Sequence, residues 1–540
     1  MRHMRHMRHM RHMRHTRHIW HLLGAVVLGL GCAAAAARPD GGSKDSGAYD
    51  AAAGACADDC AASGLACSLG RCTSMACRTS ETNTLSVGGC IFYTLQVDNV
   101  TADEAATTSF LVANPGPDAA NVALEAAERA SSGSPWLELA RTQILAGASA
   151  RLPVSALAVT GVGVSPKAAL RISSDRPVTV AEIESDDVAS VATSSGGTMV
   201  LPLQSLGKSY LAMTYPQEAT ADVQQTAGSL GGAGRVIVVG THDGTTVTFT
   251  PNRPATGAPG GDLVVGKGQS FMLDDGDVFQ IYSGAMDEDL TGAAVSADFP
   301  VAVFSGNIST SYGSSVTGIN SADMAHEQMP PVANWSKTYV AAALTPQASI
   351  GCTSFFGPGG GSIWRVLSSQ DGNQITVAVP GIPSSTFALD AGASTTITQA
   401  GSFIISAIKP ILVTQGIDCE PSLSLAVAVG ATSLFGSLPL AVPPQFDLQL
   451  AVVRASGTVV KLDGARIAEG LFQTVGPGYD VATVALSPCV PTDASGVCTH
   501  LLEAPSGSGF GVTLRGMDVG SSFALTPPLL VGCDPSPCLN

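Results

Sequence analysis

One apolar phrase is written three times in this chain, each time behind a proline. Ser174-Asp-Arg-Pro-Val-Thr-Val-Ala181, Ser296-Ala-Asp-Phe-Pro-Val-Ala-Val-Phe304 and Ser406-Ala-Ile-Lys-Pro-Ile-Leu-Val-Thr414 share a short polar turn, then Pro177, Pro300 or Pro410, then an apolar, largely β-branched run. Proline offers no N–H to a sheet ladder, so it suits the first residue of a strand or an edge; each phrase predicts a strand that begins at its proline. The copies stand roughly 110–125 residues apart, too far for a solenoid and right for whole domains. What recurs is a domain-sized β unit.

Other phrases keep the same step. Arg235-Val-Ile-Val-Val-Gly-Thr-His-Asp-Gly-Thr-Thr-Val-Thr-Phe249 aligns with Trp364-Arg-Val-Leu-Ser-Ser-Gln-Asp-Gly-Asn-Gln-Ile-Thr-Val377. Residues 451–463 are a degenerate third copy and residues 110–118 a fourth. Asp243-Gly244 and Asp371-Gly372 each lie between two apolar runs, which predicts hairpin turns. Only 13% of residues are charged, and with so many small and β-branched residues the chain suits sheet better than long helices. The one helix candidate is residues 121–130, where a strand and loop fit equally. Each unit holds about seven short strands, the content of one Greek-key β-sandwich; two propeller blades per unit would also fit. The predicted fold is therefore all-β: tandem β-sandwich-like repeat units (alternative, a β-propeller) over residues 91–530, preceded by a small disulfide-rich module. The units run roughly over 91–190, 191–310, 311–420 and 421–530.

Residues 1–31 predict an export signal: a basic Met-Arg-His tract, an apolar run, then Gly31-Cys32 and alanines. Leu28-Gly-Leu-Gly-Cys32 resembles a bacterial lipobox with glycine where leucine is usual, making Cys32 the expected lipid-attachment site. Cleavage within residues 33–37, or retention of the apolar run as an anchor, are the rivals. Residues 32–55 read as a flexible tether. Cys56, Cys60, Cys67, Cys72, Cys77 and Cys90 then crowd into residues 56–90 with few apolar residues between them. That predicts a disulfide module, not a zinc site, which would need paired Cys-x-x-Cys spacings. Cys352, Cys419, Cys489, Cys498, Cys533 and Cys538 make the number after Cys32 even, as an oxidising compartment favours. Cys489–Cys498 and Cys533–Cys538 could close local loops, which leaves Cys352–Cys419 by elimination.

With 43 Asp+Glu against 27 Lys+Arg, a net charge of −16, the surface repels nucleic acid and anionic membranes. Membrane contact is expected only through the N-terminal lipid, on a protein held at the cell envelope or surface, at the outer membrane. Reaction chemistry is sparse. Beyond the N-terminal tract the histidines are His242, beside the Asp243-Gly244 turn, His326, just before Met329-Pro330 and so expected in a loop, and His500. His-Glu-x-x-His, a Gly-x-Ser-x-Gly elbow and a phosphate loop are all missing. Carboxylates cluster at Glu182/Glu184/Asp186/Asp187, at Asp274/Asp275/Asp277 and at Asp287/Glu288/Asp289, expected as acidic turns that keep sheet edges soluble. No cofactor is implied; Ca²⁺ between such carboxylates is the alternative, at a spacing that matches no known calcium loop. The irregular stretch 307–327 is the expected binding loop.

Three ordered phrases carry a resemblance: the run from Ser296 to Gly306, then His326-Glu-Gln-Met-Pro-Pro-Val-Ala-Asn-Trp335, then Lys337-Thr-Tyr-Val-Ala341. Together they resemble the N-terminal domain of the IgG Fc-binding protein family. The likeness is greatest to its bacterial, myxobacterial-type lipoprotein members, where an export signal and a Cys-rich segment precede a phrase like Gly89-Cys90-Ile-Phe-Tyr93. The resemblance covers roughly residues 88–527 and brings no catalytic residues with it. The expectation is an exported, surface-anchored binding or adhesion protein without catalytic activity, whose ligand is an unknown protein or glycan at the cell surface. A secreted hydrolase with a carboxylate-based site is the alternative.

Overall fold

The structure, a computed structural model, describes residues 66–68, 71–81, 87–98, 108–127, 136–154, 158–184, 195–215, 234–258, 261–285, 288–310, 315–316, 323–344, 352–353, 362–417, 422–425, 427–428, 435–486, 491, 496–506, 508–518 and 521–527. The expected signal and tether, with Cys32, Cys56, Cys60, Cys419, Cys489, Cys533 and Cys538, lie outside these residues, as do the side chains of Cys67, Cys72 and Cys352. The regular secondary structure of the described residues is nearly all strand. A short helix, α1 (Met75–Glu81), was not foreseen, and the helix candidate begins instead as the strand Ala120–Ala127. Cys77 on α1 is bonded to Cys90. This bond lies within the expected 56–90 module, and since Cys90 is in the strand Gly89–Thr94 it also ties α1 to the first sandwich.

The strands form four sandwiches, each of two antiparallel sheets. In the second, one sheet runs Gln269–Leu273, Thr245–Thr250, the first half of the long strand Ala294–Thr310, then Gly207–Leu211. The other runs Val278–Ser283, Gly234–Gly240, the second half of that same strand, then Asp323–Gln328. The first sandwich repeats this plan around Leu170–Glu184, and its last strand is Gly196–Val200. In the third and fourth the long strand is broken in two, Phe403–Ala407 with Ile411–Ile417, and Cys498–Glu503 with Phe510–Asp518.

The prolines mark where that strand changes sheets. Residues 294–297 pair with Thr245–Thr250, and residues 301–307 pair with Gly234–Gly240. Pro177 and Pro300 are thus inside strands and not at their starts, while Pro410 precedes Ile411–Ile417. The missing N–H is tolerated because the ladder changes partner there, at a corner shared by two sheets. Thr241 Oγ1 donates to the Pro300 carbonyl at 2.6 Å, and Ser369 Oγ to that of Pro410 at 2.7 Å. The Tyr210 and Tyr339 hydroxyls donate to the next carbonyls, Val301 and Ile411, at 2.7 and 2.8 Å.

The Asp-Gly turns are not hairpins. Gly234–Gly240 and Thr245–Thr250 belong to opposite sheets, so Asp243-Gly244 is an arch between them, and Asp371-Gly372 is its counterpart between Ser362–Ser368 and Asn373–Ala378. Each arch is held by a second arch. The Gly244 N–H donates to Asp274 Oδ1 and the Asp275 N–H to Asp243 Oδ1, at 2.9 and 3.0 Å; Gly372 with Asp390 and Ala391 with Asp371 repeat both bonds at the same distances. Asp-Gly marks a turn in either case, but which sheet each flank joins is a tertiary property.

Strand patterning explains how the sandwiches associate. Thr245–Thr250 buries Val247 and Phe249 and leaves Thr246 and Thr248 at least partly open, the alternation of a sheet with one wet face. Gly234–Gly240 is buried throughout. Val236 and Val238 fill their own sandwich, whereas Ile237 and Val239 pack with Phe304 against Tyr93, Leu95 and Leu201 of the first. The same two-sided burial recurs: Leu367 and Leu412 enter the second core, Ala451 and Val453 the third, and Leu111 and Ile183 join the fourth. Each sandwich therefore leans on the one before it and the first leans on the last, closing a ring of four. The inner strands Gly196–Val200, Asp323–Gln328, Ser422–Leu425 and Ser521–Leu525 neighbour one another in that cyclic order, and the Ser195 hydroxyl donates to the Ser522 carbonyl at 2.7 Å.

Backbone meets backbone at the second seam. A Cβ on Gly292 (φ +91°) would stand 2.0 Å from the Gly392 carbonyl oxygen. Gly292→Ala should therefore destabilise the fold by about 2–4 kcal/mol, from strained φ plus a clash that rigid arches cannot relieve, whereas Gly457→Ala, with open space around it, should cost only the φ strain, about 1 kcal/mol. Urea unfolding of both variants checks the difference; equal losses would contradict a close-packed seam.

Candidate functional site

The acidic clusters do not meet, and those described are not solvent-facing edge turns. Asp275 accepts from the Tyr93 hydroxyl at 2.7 Å and from Trp136 Nε1 at 3.1 Å, and Asp277 Oδ1 accepts from the Lys167 N–H at 2.9 Å. Both tie the second sandwich to the first. Asp289 faces the third, with Arg365 Nη2 2.6 Å from its carboxylate and the Thr214 hydroxyl donating at 2.8 Å. Asp186, Asp187 and Asp287 lie outside the described residues. Among the described residues no three His, Cys, Asp or Glu are disposed to hold a metal ion.

Glu182 and Glu184 continue the face of their strand that Val178 and Val180 present to the first core, so strand periodicity carries them inward. Both are fully buried. The Thr94 hydroxyl donates to Glu182 Oε2 and the Thr108 hydroxyl to Glu184 Oε2. His326, expected in a loop, is buried in the strand Asp323–Gln328, stacked on Phe304 (centroids 5.3 Å apart), with Nε2 3.3 Å from Glu182 Oε1. Glu327 beside it accepts from Thr198 Oγ1 at 2.7 Å. The two ends of the stretch 307–327 are core, since Asn307, Thr310 and residues 324–327 lie in strands that complete the second sandwich; residues 311–314 and 317–322 lie outside the described residues. Arg235 pairs with Asp98 at 2.6 Å, and Asp98 also accepts from the Tyr282 hydroxyl at 2.6 Å. Thr94, Thr108, Asp98 and Arg235 carry no local signature; their polarity amid apolar runs was the only available hint.

Burial drives the protonation of this cluster. It raises the Glu182 carboxyl, and with repulsion from Glu182 it raises Glu184 well above the usual carboxylate range. Desolvation, with Arg235 nearby, lowers His326 to about 3. The signs oppose each other. Below the ordinary histidine value the unfolded chain takes up a proton that folded His326 refuses, so stability falls as pH drops from about 6.5 toward 3. Above the ordinary glutamate value the unfolded chain releases protons that the folded carboxyls retain, so stability falls again as pH rises. Glu184→Gln should raise the unfolding free energy at pH 8 relative to its value at pH 5, and His326→Leu should flatten the loss between pH 6.5 and 3.5. Denaturant titrations between pH 3.5 and 8 measure both slopes; variants that keep the wild-type slopes would contradict the assignment.

What the surface offers is the outer end of each sandwich, where the arches and the corner gather. On the second, His242 stacks on Phe299 (centroids 4.0 Å apart) at the exposed arch, between the exposed carboxylates Asp243 and Asp298. On the third, Gln370, Asp371, Asp390 and Ile408 are exposed at the same place. On the first, α1 lies over the corner: the Ser74 hydroxyl donates to the Asp175 carbonyl at 2.6 Å. An open groove of about 820 Å³ is left there, bordered by Met75, Pro115, Pro117, Asp118, Arg176 and Pro177. These three ends can bind and cover; among their described residues none brings a nucleophile, a base and an acid together.

Residues 196–516 match the protein family described as IgGFc binding protein. No curated protein matches the chain. Among solved structures, a tetra-tandem repeat in the extending region of a large adhesion protein is 11% identical over 81% of this chain and 98% of its own, with a TM-score of 0.10. Salmonella alpha-2-macroglobulin reacted with methylamine is 8% identical over 82% of this chain and 33% of its own, with a TM-score of 0.11. Likeness that low carries no argument. The family match reaches from the inner strand of the first sandwich, Gly196–Val200, into the strand Phe510–Asp518 of the fourth, and so takes in the second and third sandwiches, most of the fourth and three of the four inner strands. The chain belongs to the IgGFc-binding protein family.

Proposed function

We propose that this is an exported, surface-held binding protein without catalytic activity, engaging a protein or glycan ligand through the outer ends of its sandwiches. The observation that carries the reading is a division of labour. The groups best suited to chemistry, Glu182, Glu184 and His326, are sealed in the core, while the exposed arches recur on a rigid ring. Similar ends on one chain let weak contacts add by avidity. The Cys77–Cys90 bond fits an oxidising compartment, as export demands. Among the described residues no helix is long and apolar enough to cross a membrane, and attachment through a lipid on Cys32 remains part of the proposal.

The test uses the whole mature chain immobilised on beads, offered immunoglobulin Fc fragment, a mucin glycoprotein and intact cells in parallel. Binding to one of these should fall at least tenfold in the His242→Ala/Phe299→Ser variant, with the unfolding midpoint nearly unchanged, because both side chains sit at an exposed arch. Turnover of ester, peptide or glycoside substrates by the purified protein, or binding untouched by that variant, would overturn the reading.

A further inference from the structure

We propose that Thr94 and Glu182 become joined by an ester between Thr94 Oγ1 and Glu182 Cδ, a self-formed cross-link inside the first sandwich. Thr94 ends the strand Gly89–Thr94 in one sheet, and Glu182 lies beyond the corner in the other. The bond would tie the first strand of the sandwich to its long corner strand, Leu170–Glu184, across the two sheets.

The arrangement supplies what condensation needs. The nucleophile is in place, because the Thr94 hydroxyl is directed at Glu182 Oε2 and both residues are fully buried. The electrophile is a carboxylic acid, since burial holds Glu182 toward its neutral form. Glu184, buried two residues along on the same strand face and itself held toward the neutral form, can relay a proton. His326 Nε2 stands 3.3 Å from Glu182 Oε1, not hydrogen-bonded as it lies, and a turn of the uncharged ring would let it donate to the oxygen that stays as the ester carbonyl. Orientation on a rigid frame replaces an external catalyst, as in other well-placed intramolecular reactions.

The step balances without a co-reactant. Thr94 Oγ1 attacks Cδ, the O–H bond of Thr94 and the Cδ–Oε2 bond break, and Oε2 leaves as water with the threonine proton and the proton of the acid. No electrons change hands. The reverse reaction needs water at a carbon that the surrounding core excludes, so the bond, once formed, is protected while the protein is folded. Thr108 and Glu184 form a second hydroxyl–carboxyl pair beside the first; in this scheme Glu184 must stay a free acid to relay the proton.

The test is mass spectrometry of the full-length protein, denatured and reduced so that disulfides do not count. Wild type should be lighter than its sequence by one water, and digestion should give a linked peptide holding Thr94 and Glu182 that hydroxylamine cleaves. Thr94→Val, nearly isosteric, should restore the full mass, whereas Thr108→Val should keep the deficit. If Thr94→Val does not fold, the wild-type peptide map decides alone. A wild-type chain of full mass, with Thr94 and Glu182 in separate peptides, would reduce the contact to a hydrogen bond and overturn the proposal; a deficit that maps to Thr108 and Glu184 would overturn it in this form.

Discussion

A sheet that is apolar on both faces cannot be the outside of anything. In every sandwich the sheet built around the second half of the corner strand has this character, and its second face is satisfied only by a neighbour. A fully buried Val, Ile or Phe contributes about 1.5–3 kcal/mol, so a seam such as Ile237, Val239 and Phe304 outweighs any single polar contact across it. Four units, each needing a neighbour, close upon themselves. Ring closure is thus a consequence of strand composition. The polar bonds at the seams, Asp275 with Tyr93 and Trp136, and Asp289 with Arg365, fix how the units are rotated against one another. They add register more than energy.

The corners solve the complementary problem of keeping each sandwich thin. A strand that serves both sheets must turn sharply and lose a ladder partner as it does so, and proline removes the donor that would otherwise go unpaired. Tyr210 and Tyr339 then hold the first carbonyl after the corner, and the arch hydroxyls of Thr241 and Ser369 hold the proline's own. Such dense local bonding explains why these phrases survive repetition while the connecting segments differ.

Much of this was legible in the sequence. Strand content, the repeat, the sandwich class and the family all follow from short phrases of fixed order. Three readings failed for one reason: each took a local pattern as the whole context. Asp243-Gly244 marks a turn in either a hairpin or an arch, and only the partner strands decide. Asp-Phe-Pro300 marks a bend, which looks like a start when the preceding strand is polar enough to pass for a loop. Glu182, Glu184 and His326 read as surface residues because charge is normally exposed. Their partners Thr94 and Thr108 lie 88 and 76 residues away, beyond any window in which pattern can speak.

The ring also dictates an order of events. The inner strand Gly196–Val200 is made well before one of its neighbours, Ser521–Leu525, which lies more than 300 residues further along the chain. Until that strand arrives, Leu111, Ala181, Ile183 and Met199 have no fourth sandwich to cover them. A nascent chain therefore carries an exposed apolar flank until the fourth sandwich follows, and any unit from another copy could fill it. The same surface that makes the finished molecule whole is, during its making, an invitation to exchange domains.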